Sequence, residues 1–389
     1  MGSEWKETKL GEFAFFNYGK GLPKRKRNST GDVPVFGSNG ITGYHNEPLL
    51  EKGIIIGRKG SIGEVEYCEG PFWPIDTTFY IEDSPERDIR FTYYLLKSLP
   101  LQNMNSDSAV PGLNRTAAHN LTIKVPPLED QKRIAHILGT LDDKIELNQR
   151  MNATLEGIAR AVFQSWFVDF DPVRAKMAGE PYPLPDEDMA LFPDELVESE
   201  LGLIPKGWEV CALSDIANFL NGAACQKYPE KTDELSLPVL KIRELRQGSF
   251  DEQSDRACMD IPEKYIVENG DVVFSWSGSL LVDIWTGGTG FLNQHLFKVT
   301  SDNYPKWFYY YWVKHHLSEF SHIAEGKATT MGHIKRHHLD DALVIDPTPE
   351  IIEISNQYIS IIINDLIMKE SECKVLEEVR TSLVKEFFM

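Results

Sequence analysis

Residues 155–167 read LEGIARAVFQSWF, and residues 376–388 read LEEVRTSLVKEFF. Each stretch opens on Leu-Glu and closes on two bulky aromatics, at an offset of 221 residues. Around the first, the positions Ile134, Leu138, Leu141, Ile145, Asn148, Asn152, Leu155, Ala159, Val162 and Trp166 follow alternating steps of four and three. That period is the heptad seam of a helix paired with another helix. Shifted by 221, the second stretch gives Ser355, Ile359, Ile362, Leu366, Lys369, Cys373, Leu376, Arg380, Leu383 and Phe387, apolar at the ends and softer in the middle. Asn148 and Asn152 are expected opposite Lys369, where polar seam residues fix register and partner. The pairing itself is assigned to Leu138, Leu141, Ile145, Asn148, Asn152, Leu155, Val162, Ile359, Ile362, Leu366, Leu376 and Leu383. Residues 129–167 alone make a rod of roughly 58 Å at about 1.5 Å per residue, too long to lie across one small domain. Two such rods need each other, and antiparallel pairing places one globular part at each end.

Working outward, the duplication extends to the globular parts. Trp5–Leu10 (WKETKL) echoes Trp208–Leu213 (WEVCAL), Pro34-Val35 echoes Pro238-Val239, and Phe91–Tyr94 (FTYY) echoes Phe308–Tyr311 (FYYY). Thr122–Pro127 finds a weaker match in Leu343–Pro347. The order is kept while the offset grows from 203 to 221, so insertions fall between elements, as they do in loops. The fold class expected is α+β: two α/β domains separated by two long antiparallel coiled-coil helices, with an internal pseudo-two-fold duplication. The expected segments are a first domain at 1–127, a first helix at 128–168, an acidic Pro-rich linker at 169–206, a second domain at 207–347 and a second helix at 348–389.

A chain of 389 residues that is 42% hydrophobic can bury two cores. Its five cysteines are scattered, without CxxC or metal-ligand spacing, which points to a reducing cytoplasm. No apolar run approaches a bilayer span. A soluble cytoplasmic protein without membrane contact is expected. The net charge of −19 argues at first against a polyanionic partner, but its distribution is uneven. Residues 1–127 carry 15 acidic against 15 basic side chains, whereas 128–206 carry 16 against 8. The acidic run Asp186-Glu187-Asp188 reads as solvated surface.

Catalytic signatures are missing: there is no GxxxxGK[ST], HExxH or GxSxG. His333 and His337 have the spacing of a metal pair but no third ligand in sequence reach, so neither metal nor catalytic residue is assigned. The bases cluster instead in Gly- and Pro-interrupted loops. Lys20, Lys24, Arg25, Lys26 and Arg27 form the densest patch, and Arg58, Lys59 and Ser61 follow the strand-like GIIIG. In the second copy the corresponding place holds Ser275, Trp276 and Ser277, so hydroxyls and an indole replace charge. Before the first rod stand Asn114 and Arg115; before the second stand Lys327, Thr329, Thr330, His333, Lys335 and Arg336, with Gly112 aligned to Gly332 and Arg115 to Lys335. Lys241 and Arg243 complete the second set. Arg and Asn are suited to reading guanine and adenine edges, and Thr to a thymine methyl. Two unlike readers on a spacer of fixed length point to an asymmetric, bipartite site on double-stranded DNA. The competing reading is an interaction scaffold with peptide-binding globular ends.

The run PPLEDQKRIAHILGTLDDKIELNQRMNATLEGIARAVFQSWFVDFDPV, residues 126–173, resembles the central conserved region of specificity subunits of type I restriction-modification systems. The resemblance spans essentially the whole chain, in the order recognition domain, conserved helix, recognition domain, conserved helix. The second helix departs from it, reading PTPEIIEISNQ where the first has PPLEDQKRIAH. The resemblance implies a non-catalytic subunit that binds DNA and docks two methyltransferase subunits and restriction/translocase subunits. S-adenosylmethionine, ATP and Mg2+ are then expected only in those partners, with no cofactor in this chain.

Overall fold

The computed structural model describes residues 5–105, 112–231, 235–326 and 332–389. The chain forms two units, one made of Met1–Ile145 with Leu376–Met389, the other of Glu146–Val375. The first unit runs β1 (Lys6–Lys9), α1 (Leu10–Phe13), β2 (Asn17–Tyr18), β3 (Val33–Gly37), β4 (Gly40–His45), β5 (Gly53–Gly57), β6 (Val65–Cys68), β7 (Trp73–Pro74), β8 (Thr78–Glu82), α2 (Ile89–Ser98), α3 (Arg115–His119), β9 (Thr122–Val125) and the first half of α4 (Leu128–Phe163). Its sheets have the strand orders β2-β8-β5-β6, β4-β3-β7 and β1-β9. The run GIIIG is β5, buried at every residue between β8 and β6. Helix α2 starts where the Asp88 carboxylate accepts from the Phe91 N–H at 2.9 Å, a side-chain N-cap. It lays Phe91, Leu95 and Leu96 on Ile54, Ile56, Phe79 and Ile81. Ile134 and Leu138 of α4 join this core, together with Leu383, Val384, Phe387 and Phe388 from the end of the chain.

The second unit takes the rest of α4, which closes in a π turn over Gln164–Val168, with Asp169 N–H donating to Gln164 O at 2.8 Å. There follow α5 (Asp171–Ala178), α6 (Asp186–Leu191), β10 (Leu196–Ser199), β11 (Gly202–Pro205), β12 (Glu209–Ala212), α7 (Leu213–Ile216), β13 (Asn218–Asn221), β14 (Ser236–Leu240), α8 (Ile242–Gln247), β15 (Arg256–Cys258), β16 (Ile266–Val267), β17 (Val272–Ser275), β18 (Leu281–Ile284), β19 (Gly290–Leu292), β20 (Leu296–Thr300), α9 (Lys306–Glu325), α10 (His337–Asp341), β21 (Leu343–Asp346) and α11 (Pro349–Phe388). The duplication is topological as well as sequential. The sheet β13-β20-β17-β18 repeats β2-β8-β5-β6, β12-β21 repeats β1-β9, and the parallel pair β14-β19 repeats β3-β7. FTYY lies in α2 and FYYY in α9, each packed into its unit's core.

The long helices pair antiparallel in each unit. In the first, Asp142 accepts from Arg380 and from the Tyr94 hydroxyl, both at 2.5 Å. In the second, Asn148 Nδ2 donates to Glu372 Oε2 at 2.7 Å, and Asn152 Nδ2 reaches Glu370 Oε2 at 3.3 Å. The partner number falls as the first rises. The seam asparagines thus face glutamates, not Lys369, whose ammonium pairs with Asp365 one turn back on its own helix at 3.7 Å. Ile134, Leu138, Ile145, Asn148 and Ala159 are buried, as the heptad spacing requires, and so are Ser355, Ile359 and Cys373.

The stretch 169–206, expected as an extended linker, folds into two short helices and the β10–β11 hairpin. Phe170 adopts φ 56°, a left-handed conformation that costs about 1–2 kcal/mol outside glycine. Its burial beside Trp208, ring centroids 5.9 Å apart, offsets that strain. Val173, Phe192 and Ile204 enter the same core. The acidic run forms the first turn of α6, where carboxylates suit the helix dipole, and Asp188 is buried under a hydrogen bond from the Tyr358 hydroxyl. Among the described residues no helix is long and apolar enough to cross a membrane, and no group of three His, Cys, Asp or Glu side chains could hold a metal.

Candidate nucleic-acid interface

In the first unit, β2 and β5 flank β8, so the loops that leave them emerge side by side. The N–H groups of Arg58 and Lys59 donate to Thr77 O at 3.0 and 3.1 Å, Lys59 bridges Gly112, and Leu113 N–H donates to Arg58 O at 2.9 Å. This zips the turn after β5 to the loop before α3. Gly60 sits there at φ 86°, a conformation side chains rarely adopt. The Arg58 guanidinium lies 4.8 Å from the Tyr18 ring centroid and 5.8 Å from that of Phe79, and Nη1 donates to Asp76 O at 2.8 Å. Arg115 lies 4.5 Å from the same Tyr18 ring and donates to Phe16 O at 3.4 Å. Tyr18 is half exposed. The edge therefore sets two guanidinium groups against one accessible ring, a rigid cationic surface held by rings and backbone carbonyls.

Around this edge stand the remaining expected residues of the first unit. Lys20 lies 5.6 Å from the Trp73 ring, and Lys24, Arg25 and Lys26 form an exposed single turn. Arg27 instead closes the loop from within, its guanidinium donating to Leu22 O at 3.0 and 2.8 Å and to Thr42 Oγ1 at 3.0 Å. Ser61 Oγ donates to Asn39 Oδ1 at 2.9 Å, and Asn114 caps α3 by accepting from Ala117 N–H. His119 fixes the strand entering the site, because its Nε2 accepts from Phe16 N–H at 3.0 Å. Burial, and then the Arg115 charge, lower its pKa from the usual histidine range.

The second unit rebuilds this edge with the same backbone bonds. Trp276 N–H donates to His295 O, Ile334 N–H donates to Trp276 O at 3.0 Å, Ser277 bridges His333, and Gly278 takes φ 67°. Arg336 Nη2 donates to Phe219 O at 3.0 Å, as Arg115 does to Phe16 O. These bonds equate Arg58 with Trp276, Lys59 with Ser277, Gly112 with His333, and Arg115 with Arg336. The alignment read from sequence, Gly112 with Gly332 and Arg115 with Lys335, is one residue out of register. At the position of Tyr18, opposite Phe297 as Tyr18 is opposite Phe79, stands Asn221. Trp276 Nε1 donates to Asn221 Oδ1 at 2.9 Å, and Ser277 Oγ bonds His295 Nδ1 at 3.0 Å.

Several expected residues are placed elsewhere or occupied. Ser275 and Ser277 are buried; Ser275 Oγ donates to the carbonyls of Ser277 and Ser279, so both serines shape the turn. Arg243 grips Asp251 and Glu244, and its hydrogen bonds hold the Asp251 carboxyl down to about 2. Lys241 pairs with Asp255. The His333 ring lies edge-on to Trp276 at 6.2 Å, and Lys335 is exposed. Lys327, Thr329 and Thr330 lie outside the described residues. Tyr18, Asn221 and His295 were not singled out from the sequence, although the 203-residue offset that matches Trp5 to Trp208 also carries Tyr18 to Asn221.

The chain matches known proteins over most of its length. The MjaIX type I restriction enzyme specificity subunit of Methanocaldococcus jannaschii is 26% identical over 350 residues, covering 86% of this chain and 77% of that one. The HindI specificity subunit of Haemophilus influenzae is 28% identical over 325 residues, 70% of each. A crystal structure of a type I restriction-modification S subunit from M. genitalium superposes with a TM-score of 0.65 at 15% identity, covering 100% of this chain and 96% of that chain, and so shares its fold. A family model described as the type I restriction modification DNA specificity domain matches residues 2–157 and again 205–379, and the chain belongs to that family.

Proposed function

We propose that this chain is the DNA-reading subunit of a type I restriction-modification complex in the cytoplasm. Each unit reads one half of an asymmetric, bipartite target on double-stranded DNA, and the chain performs no chemistry of its own. The observation that carries this reading is the pair of edges built on matching backbone bonds but bearing different side chains. A shared scaffold with exchanged contact groups is what two different half-sites need.

The long helices support the docking part of the proposal. Each carries, beside its buried seam, a second apolar row open to solvent: Leu147, Met151 and Ile158 on α4, and Ile361, Met368 and Val375 on α11. Rows spaced by whole or half heptads suit further helices. Their occupants in this reading are two methyltransferase subunits, with restriction/translocase subunits joining the complex; S-adenosylmethionine, ATP and Mg2+ act in those partners. The test is to co-express the chain with its methyltransferase subunit and map methylated bases across the host genome. The expected map shows one motif of two unlike halves with a fixed spacer. Replacing residues 1–127 by another recognition domain changes one half only. A map without a two-part motif, or a swap that alters both halves, refutes the assignment.

A further inference from the structure

The two edges differ at a pair of positions that is in contact in both units. In the first unit the pair is Tyr18 and Arg58, stacked at 4.8 Å; in the second it is Asn221 and Trp276, joined by an indole N–H to amide oxygen bond of 2.9 Å. Three features around the pair are shared: the strand pairing opposite Phe79 or Phe297, the left-handed glycine at 60 or 278, and the arginine at 115 or 336 bound to a backbone carbonyl. We propose that Tyr18/Arg58 and Asn221/Trp276 are the specificity-determining pairs, each setting the base accepted at one position of its half-site. This rests on the DNA-reading assignment above and names the side chains that perform it.

The chemistry of each pair defines what it accepts. Arg58 is fixed by two rings, Tyr18 and Phe79, and one carbonyl, leaving Nε and Nη2 as donors of a pre-oriented fork. Two adjacent acceptors on a major-groove edge, O6 and N7 of guanine, match it. Tyr18 is a positioning residue that holds the guanidinium plane. In the second pair the indole N–H is donor only, so it fixes the Asn221 amide with its oxygen inward. Only the Nδ2 donors then point away from the indole. Donors without an acceptor beside them satisfy the N7 of either purine, so the second pair discriminates less than the first.

The experiment uses the complex with its methyltransferase subunit and reads the methylation map. Arg58→Lys keeps the charge but removes the fork. It is expected to relax one guanine of the first half-site by about 10- to 100-fold in preference, the range of a lost bidentate contact, and to leave the second half unchanged. Tyr18→Leu relaxes the same position, while Tyr18→Phe, which keeps the ring, leaves the motif as it was. The double variant Asn221→Tyr with Trp276→Arg shifts one position of the second half-site towards guanine. Should Arg58→Lys preserve the motif, with methylation unchanged or lowered evenly at every site, Arg58 is a phosphate contact and the pair proposal falls. Should Arg58→Lys relax a base that Tyr18→Leu does not, the coupling falls. A wild-type map with no bipartite motif overturns the functional assignment itself, which separates the two failures. Circular dichroism and co-purification with the methyltransferase subunit distinguish an unfolded variant from a misreading one, and Arg58→Lys alone decides if the double variant does not fold.

Discussion

Replacing Asn148 by Asp tests the polar seam with almost no change of shape. Asn148 is wholly buried, its Nδ2–H donates to Glu372 Oε2 at 2.7 Å, and its Oδ1 has no partner among the described residues. The substitution exchanges the donor for a second carboxylate oxygen against Glu372. An uncompensated buried charge of this kind costs about 3–5 kcal/mol. At about 2–4 °C per kcal/mol for a unit of this size, the melting temperature at pH 8 should fall by roughly 6–20 °C. The deficit should shrink on acidification. The new carboxyl is disfavoured when charged in the folded state, so its folded pKa lies above the unfolded value; the folded state binds more protons, and stability rises as pH falls. Asn148→Leu is the counterpart. It loses a hydrogen bond to a charged acceptor, about 1.5–3 kcal/mol, but also removes an orphan acceptor whose burial costs about 1–3 kcal/mol. It should therefore melt within about 8 °C of the wild type. Calorimetry or circular dichroism at pH 8 and pH 5 provides the measurement. An Asn148→Asp protein that melts with the wild type at pH 8 would refute the buried pairing.

Three further outcomes are expected. Replacing Lys24, Arg25 and Lys26 together by Ala should flatten the salt dependence of DNA binding by the complex, by up to about three units of slope at ~0.9 per phosphate contact, without changing the motif; an unchanged slope excludes that turn from the phosphate backbone. The lowered His119 pKa means the unfolded chain takes up a proton first, so the first unit should lose stability as pH falls below about 6.5. His119→Gln, which can still accept from Phe16 N–H, should remove that dependence in pH-resolved melting. Burial, reinforced by Asp346, Asp215 and Glu209, pushes the Cys211 thiol up to about 12, so iodoacetamide at about pH 7.5 should leave Cys211 unmodified in the folded protein, as mass spectrometry of the digest can establish.

The helices were legible because their signal is local and periodic: Ile134, Leu138, Ile145 and Ala159 recur at seam spacing and are buried. The duplicated order was legible through rigid landmarks such as Trp5 and Trp208, which lead into equivalent edge strands. What escaped was decided by tertiary partners. Residues 169–206 look extended by composition, yet Phe170, Val173, Phe192 and Ile204 find a core no local pattern announces. A basic side chain is equally basic in sequence whether it faces solvent, like Lys24, or is committed internally, like Arg27 and Arg243. The one-residue error between Arg115 and Arg336 arose because glycines at 112 and 332 attracted the alignment, whereas the backbone bridge pairs Gly112 with Lys59 and His333 with Ser277.

The first unit borrows its final layer from the far end of the polypeptide: Leu383, Val384, Phe387 and Phe388 pack on its core, and Phe388 meets Phe91 at 5.4 Å. On the ribosome, that unit must wait, with Phe91 and Leu138 partly uncovered, until residues 376–388 have been made. A stop codon between residues 376 and 388 would consequently injure the portion made earliest and spare the portion made later. Quality control of the first unit is thereby tied to synthesis of the second long helix, and products terminated before it would present an oily surface to chaperones and proteases instead of a half-competent reader.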